Sequence, residues 1–167
     1  QKDAEKALEA IQTEIARLDQ ILSVWRDDSE ISQLNREQKI SASSELYDVI
    51  AACEQWRSAT CGGFDARLGQ LISLWENSNQ VQKLDDQTQE VLLQQLKTQS
   101  IELNQQTKQI TLAPAIKIAP DAYAKGYVID RALVAAQQAV PHLQGILIDI
   151  GGDLRVWGQS PHQAGWK

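Results

Sequence analysis

Ile101-Glu102-Leu103-Asn104-Gln105-Gln106-Thr107-Lys108-Gln109-Ile110-Thr111-Leu112 is where the hydrophobic period of the chain changes. Apolar and polar residues alternate on either side of a polar turn. That is the two-residue repeat of strands burying one face, and it predicts a β-hairpin. A further short strand is expected at Ala115-Ile116-Lys117-Ile118, with Pro114 and Pro120 punctuating its ends. Upstream the period is helical. Ala7, Leu8, Ile11, Ile15, Leu18 and Leu22 recur at three and four, the mark of an amphipathic helix from Asp3 to about Leu22. The polar run Arg26-Asp27-Asp28-Ser29-Glu30 breaks the pattern after Trp25, and a brief helical turn through Ile31 and Leu34 follows. Ser43 or Ser44 is expected to cap a second helix with Leu46, Val49, Ile50 and Cys53 inside, stopped by Cys61-Gly62-Gly63. Asp65 is expected to cap a short helix carrying Leu68, Leu71, Ile72 and Trp75. Asp85 or Asp86 opens another, with Val91, Leu92 and Leu96 facing inward.

Downstream of the hairpin, Asp121 is expected to cap a helix reaching about Gln138. Gly145 to Ile150 reads as a buried strand that ends in Gly151-Gly152-Asp153, before the strand-like Leu154-Arg155-Val156-Trp157. Helices come first, then strands mixed with a helix, so the expected class is α+β: a helix-rich N-terminal half packed on a mainly antiparallel sheet. The 167 residues, 43% of them hydrophobic, fit a single domain with a real core. No apolar run approaches bilayer-spanning length, and no secretory cleavage pattern follows Gln1. The chain contains no Met, so removal of an initiator is expected. A net charge of -6, with Lys and Arg scattered along the chain, excludes nucleic acid as a partner. Cys53 and Cys61, if on one helix, are about 12 Å apart and beyond disulfide reach. Two buried thiols are expected, unless the helix ends before Cys61.

Several segments pair glycine with a charged residue. Gly62-Gly63-Phe64-Asp65 offers backbone N-H groups at a turn leading into a helix, where a pyrophosphate or an isoalloxazine edge can be held; for the motif in isolation a Gly C-cap followed by an Asp N-cap is preferred. Ala124-Lys125-Gly126-Tyr127 places a lysine where it can neutralise phosphate, beside a glycine that admits close backbone approach. A solvated lysine beside a packing glycine is the plainer account. In Ile148-Asp149-Ile150-Gly151-Gly152-Asp153 the carboxylates anchor a loop or meet a ligand, and loop anchoring is preferred. Trp25 can stack on a flat ring, although with five tryptophans most must pack. His142 and His162 have no partner at ligand spacing and read as surface residues.

Leu18-Asp19 to Asn35, Gly62 to Trp75, Lys125-Gly126-Tyr127 to Asp130, and Gly151-Gly152-Asp153, taken in order, resemble the ApbE family, the FAD:protein FMN transferases, over nearly the whole chain. The resemblance implies an ApbE-like (T-fold-like) fold and an Mg²⁺-dependent enzyme. Such an enzyme moves FMN from FAD onto a threonine hydroxyl of a target flavoprotein and releases AMP. FAD is then a substrate, Mg²⁺ the cofactor, and the protein periplasmic, lipid-anchored to the inner membrane. Catalysis of this kind is mostly positioning and charge neutralisation.

By position, the resemblance makes Trp25 the aromatic lining the flavin site and Gly63, Phe64 and Asp65 the FAD-contacting turn. It makes Lys125 the catalytic residue beside FAD and gives the Ala122 carbonyl to the metal. Ala119-Pro120-Asp121 stands where the family has an Asp-Leu-Gly-type run, which makes Asp121 the candidate for the displaced carboxylate contact with FAD. The family continues past Gly165-Trp166-Lys167 into a half that supplies Asp and Thr ligands for Mg²⁺. The chain is therefore expected to be an incomplete domain, inactive alone. Two further readings share these residues: a non-catalytic flavin-binding protein, and a pyrophosphatase giving FMN and AMP.

Overall fold

The computed structural model describes residues 2–77, 86–160 and 165–166; Asp85 and His162 lie outside them. In chain order the elements are α1 (Lys2–Leu22), α2 (Glu30–Glu37), β1 (Lys39–Ser41), α3 (Ser44–Ala59), α4 (Gly69–Asn77), α5 (Asp86–Thr98), β2 (Ile101–Asn104), β3 (Gln109–Leu112), α6 (Asp121–Ala139), β4 (Gly145–Ile150) and β5 (Asp153–Gly158). The class is α+β. The strands form two antiparallel sheets, β1-β3-β2 and β4-β5, rather than one. The chain divides into two compact units: Ile21–Asp121, and Gln1–Gln20 together with Ala122–Lys167.

In the unit Ile21–Asp121, α2 begins because Ser29 caps it, its Oγ accepting the Ser32 N-H at 3.2 Å. It ends at Gln38, whose left-handed φ of 64° lets its N-H reach the Leu34 carbonyl. Ser43 caps α3 in the same way, and its own hydroxyl donates to a Glu30 carboxylate oxygen at 2.6 Å, tying the starts of α2 and α3 together. α3 buries Leu46, Val49, Ile50 and Cys53 as expected, and Tyr47 as well. Burial, with the Glu54 charge adding to it, pushes the Cys53 thiol up to about 12. Cys61 corrects an expectation: it follows the helix at φ 51° and is exposed.

The hairpin of β2 and β3 forms where the two-residue period placed it. Asn104 closes its turn by accepting the N-H groups of Gln106 and Thr107 at 3.0 and 3.1 Å. β1 adds a third strand that periodicity did not reveal, since three residues are too few to show alternation. Its pairing puts Ile40, Ile110 and Leu103 on one face. Two elements are corrected. Asp65 does not cap α4; it turns the chain earlier by accepting the Arg67 N-H at 2.9 Å, and α4 starts at Gly69. Ala115 to Ile118 is not a strand, for only Lys117 makes a bridge, a parallel one with Leu68. Val91, expected inside, is exposed, and so are Ile72 and Trp75 of α4.

In the other unit, α1 and α6 bury Ala7, Ile11, Ile129, Ala132, Leu133 and Ala136 with Val140 and Ile148. The small residues of α6 allow close helix packing, and each large side chain there contributes about 1.5–3 kcal/mol. Leu8, on the expected inner stripe of α1, is exposed. β4 is less buried than expected: Ile148 alone is buried, with Ile146 and Ile150 half-buried against the same core. Gly151 (φ 61°) and Gly152 (φ 93°) form the two-residue turn into β5, and Asp149 anchors it by accepting the Gly152 N-H at 2.9 Å. Exposed His142 meets Asp3 at 2.9 Å.

Candidate functional site

A cavity of about 480 Å³ opens within the unit Ile21–Asp121, a size that suits a small-molecule site. Four segments wall it. The loop before α2 gives Val24, Trp25 and Asp27; α2 gives Ser32, Asn35 and Arg36; α4 gives Gly69, Ile72 and Ser73; the stretch running into α6 gives Lys117, Ile118 and Ala119, with Asp121 the first residue of α6. Two carboxylates and two cations therefore share the cavity with an aromatic ring and aliphatic surface. Trp25 is 77% exposed. An indole left in water at a cavity mouth is available to a planar ligand.

A buried hydroxyl and an arginine hold the Trp25 loop. Ser29, fully buried, donates its Oγ proton to the Ser23 carbonyl at 2.7 Å while capping α2, and Arg36 donates to the Asp27 carbonyl at 3.4 Å. The opposite wall, Lys117–Ala119, is braced on both sides. The Gly69 N-H donates to the Lys117 carbonyl at 2.9 Å, and the Ala119 N-H to the Ala66 carbonyl at 2.8 Å. A Cβ on Gly69 would stand 2.8 Å from the Lys117 oxygen, so this approach requires glycine. From α2, Asn35 bonds both backbone groups of Ile118.

Among the residues read from sequence, Trp25 and Asp121 come together in this cavity. Gly63, Phe64 and Asp65 belong to the same unit and do not line it. The Phe64 N-H bonds Thr60 Oγ1 at 2.9 Å. The Asp65 carboxylate is engaged by Arg67 through Nη2 at 2.6 Å and Nε at 2.9 and 3.2 Å, and Arg67 also donates to the Gln99 carbonyl at 2.9 Å. Desolvation alone would raise the Asp65 carboxyl, but the hydrogen bonds and charge of Arg67 outweigh it and hold it below its ordinary range. Ala122 and Lys125 lie in the first turns of α6, in the other unit, and Lys125 is exposed.

That unit has its own smaller cavity of about 290 Å³, lined by Ala122, Gly126 and Ile129 and by β5 residues including Arg155, which pairs with Asp130 at 3.3 Å. Gly126 has no described atom within 4 Å of where a Cβ would stand, so close packing does not account for it. Among the described residues no three His, Cys, Asp or Glu side chains gather to hold a metal ion. Arg36, Ser73 and Lys117 were not singled out by sequence reasoning, and Asn35 entered only as the end of a quoted block. They stand on unremarkable polar positions, and folding brings Asn35 and Arg36 to the same cavity as Ser73 and Lys117.

The chain matches the ApbE family over residues 2–167. It is 27% identical to the FAD:protein FMN transferase of Chlamydia muridarum over 173 residues, covering 99% of this chain and 52% of that protein. With the FAD:protein FMN transferase of Escherichia coli K12 it shares 28% identity over 174 residues, covering 95% and 47%. The apo flavinyl transferase ApbE of Pseudomonas stutzeri has the same fold, with a TM-score of 0.77 at 21% identity over 95% of this chain and 54% of that one. The chain spans about half the length of the curated relatives it matches.

Proposed function

The chain belongs to the ApbE family, and from that premise we propose that it forms part of an FAD:protein FMN transferase whose flavin nucleotide sits against the cavity of Ile21–Asp121. The observation that carries the reading is the exposed Trp25 indole at the mouth of a cavity that also holds Arg36, Lys117 and Asp121. A flat isoalloxazine stacks on indole, cations neutralise a pyrophosphate, and a carboxylate accepts hydroxyl protons. Asp121 then takes the place of the family's displaced carboxylate.

In this reading Lys125, one helical turn beyond Asp121 in α6, offsets the charge that develops on the transferring phosphoryl group. The turn at Gly63 and Phe64 meets whatever part of FAD extends past the cavity. Asp65 serves that turn through its hold on Arg67. The reaction breaks the FAD pyrophosphate, joins FMN phosphorus to a threonine oxygen of the target flavoprotein, and releases AMP. The described residues do not build a side-chain site for Mg²⁺. The Ala122 carbonyl would be one donor to that ion, and the others would come from residues outside those described. In the same reading the protein is periplasmic with a lipid anchor at the inner membrane; among the described residues no helix is long and apolar enough to cross a membrane.

Titration with FAD, followed by tryptophan fluorescence, tests the cavity. Trp25→Ala should weaken FAD binding about tenfold while leaving the melting temperature unchanged, because the side chain packs against little. Equal affinity in the two proteins would remove the flavin from this cavity. In the protein at full family length, product analysis separates the chemistries: AMP only with a threonine-bearing acceptor marks a transferase, FMN and AMP without one a hydrolase, and neither a binder.

A further inference from the structure

We propose that Asn35 is a positioning residue: its carboxamide takes the place of a missing neighbouring strand and holds Lys117–Ala119 in the shape that the ligand meets. Asn35 Nδ2 donates to the Ile118 carbonyl at 2.8 Å and its Oδ1 accepts the Ile118 N-H at 2.7 Å. One side chain thus makes both hydrogen bonds that a paired residue in a sheet would make. On the other side of the wall, the Lys117 carbonyl and the Ala119 N-H are bonded to Gly69 and Ala66. Lys117–Ala119 therefore behaves as the middle of a three-stranded ladder one of whose strands is a single amide on a helix. The segment has no strand neighbour beyond the bridge at Lys117 among the described residues, so the hydrogen bonds of the Ile118 N-H and carbonyl go to Asn35.

The consequence reaches the cavity because both ends of this brace line it. Asn35, Gly69, Lys117, Ile118 and Ala119 are all wall residues, and Ile118 is 1% exposed, anchoring the wall to the core. Asn35 is itself fixed, its backbone carbonyl accepting Gln38 Nε2 at 2.8 Å. A carboxamide offers a donor and an acceptor side by side at this reach whatever the pH. An ionised carboxylate keeps the acceptor and sets a second oxygen against the Ile118 carbonyl, whereas a protonated carboxyl restores the donor.

That difference supplies the test, which rests on the cavity being the FAD site. FAD affinity is measured for wild type and Asn35→Asp from pH 8 to about pH 4, near the ordinary aspartate value of about 3.9, and well below both melting temperatures. The variant should bind about tenfold more weakly at pH 8, and the ratio should close to within about threefold as its carboxyl protonates. Asp27, Arg36, Lys117 and Asp121, the charged groups that share the cavity, are common to both proteins and cancel in the ratio. A merely structural role would lower the melting temperature without a pH-dependent affinity ratio. In parallel, Asn35→Ala should speed amide exchange at Ile118 and Ala119 at least about tenfold while the amides of α3 are unchanged. Wild-type FAD binding with an affinity ratio of one at every pH overturns the proposal. If wild type binds no FAD, the cavity reading fails by itself and the exchange measurement decides: undiminished protection at Ile118 overturns the brace, and lost protection upholds it.

Discussion

Asp65 and Arg67 show how a residue read as a ligand contact can be committed to structure. Arg67 is buried, and its guanidinium is shared between the Asp65 carboxylate and the Gln99 carbonyl. Removing the carboxylate leaves a buried cation with half its partners, so Asp65→Asn should lower stability at neutral pH by about 3 kcal/mol. The pH dependence follows from the direction of the shift. The folded carboxyl lies below its ordinary value of 3.8, so its contribution is fully present above that value and is lost as pH falls through the lower folded one. Urea midpoints should therefore show the gap between wild type and Asp65→Asn closing in acid. A gap constant from neutrality to strong acid would mean that the pair does not stabilise the fold. Ser29 is similarly committed: its single hydroxyl both starts α2 and sets the loop that carries Trp25.

Two glycines of the elements have opposite reasons for being there. A methyl group at Gly69 would strike the Lys117 carbonyl, a backbone atom that cannot swing away, so Gly69→Ala should cost about 1–3 kcal/mol and loosen the start of α4. Gly126, inside α6, has open space around it, and Gly126→Ala should raise stability by about 0.5–1 kcal/mol. Thermal melts of the two variants check both signs. If Gly126→Ala instead proves less stable, α6 does not have the surroundings described.

Elements with a sustained period were legible beforehand. α1, α3, α6 and the β2–β3 hairpin fall where three-four and two-residue repeats placed them, since burial of one face dictates that spacing. β1 was not legible, because its three residues owe their strand to β3 and not to a pattern of their own. Ala115 to Ile118 looked like a strand because it alternates, yet its neighbours are an asparagine side chain and a loop. The same reason hid most of the cavity. Trp25 was singled out by residue type and Asp121 by its position in the family pattern, but Asn35 and Gly69 matter through partners more than thirty positions away, which no local window contains.

At the scale of the molecule, one unit is assembled from both ends of the chain. α1 supplies Ala7 and Ile11 to a core otherwise made by α6, Val140 and β4. Deleting residues 2–20 should therefore strip amide protection from α6 while leaving the β1-β3-β2 sheet of the other unit protected, as read by hydrogen exchange. Adding a peptide of residues 2–22 should restore it. Undiminished protection of α6 in the shortened protein would show that α1 is dispensable to this core. During synthesis the same arrangement imposes a wait. At ribosomal speed, about a hundred residues separate the emergence of α1 from that of α6, a delay of about 5–20 seconds. Throughout it the nascent α1 carries an apolar stripe with no mate, a natural client for a holding chaperone until α6 arrives.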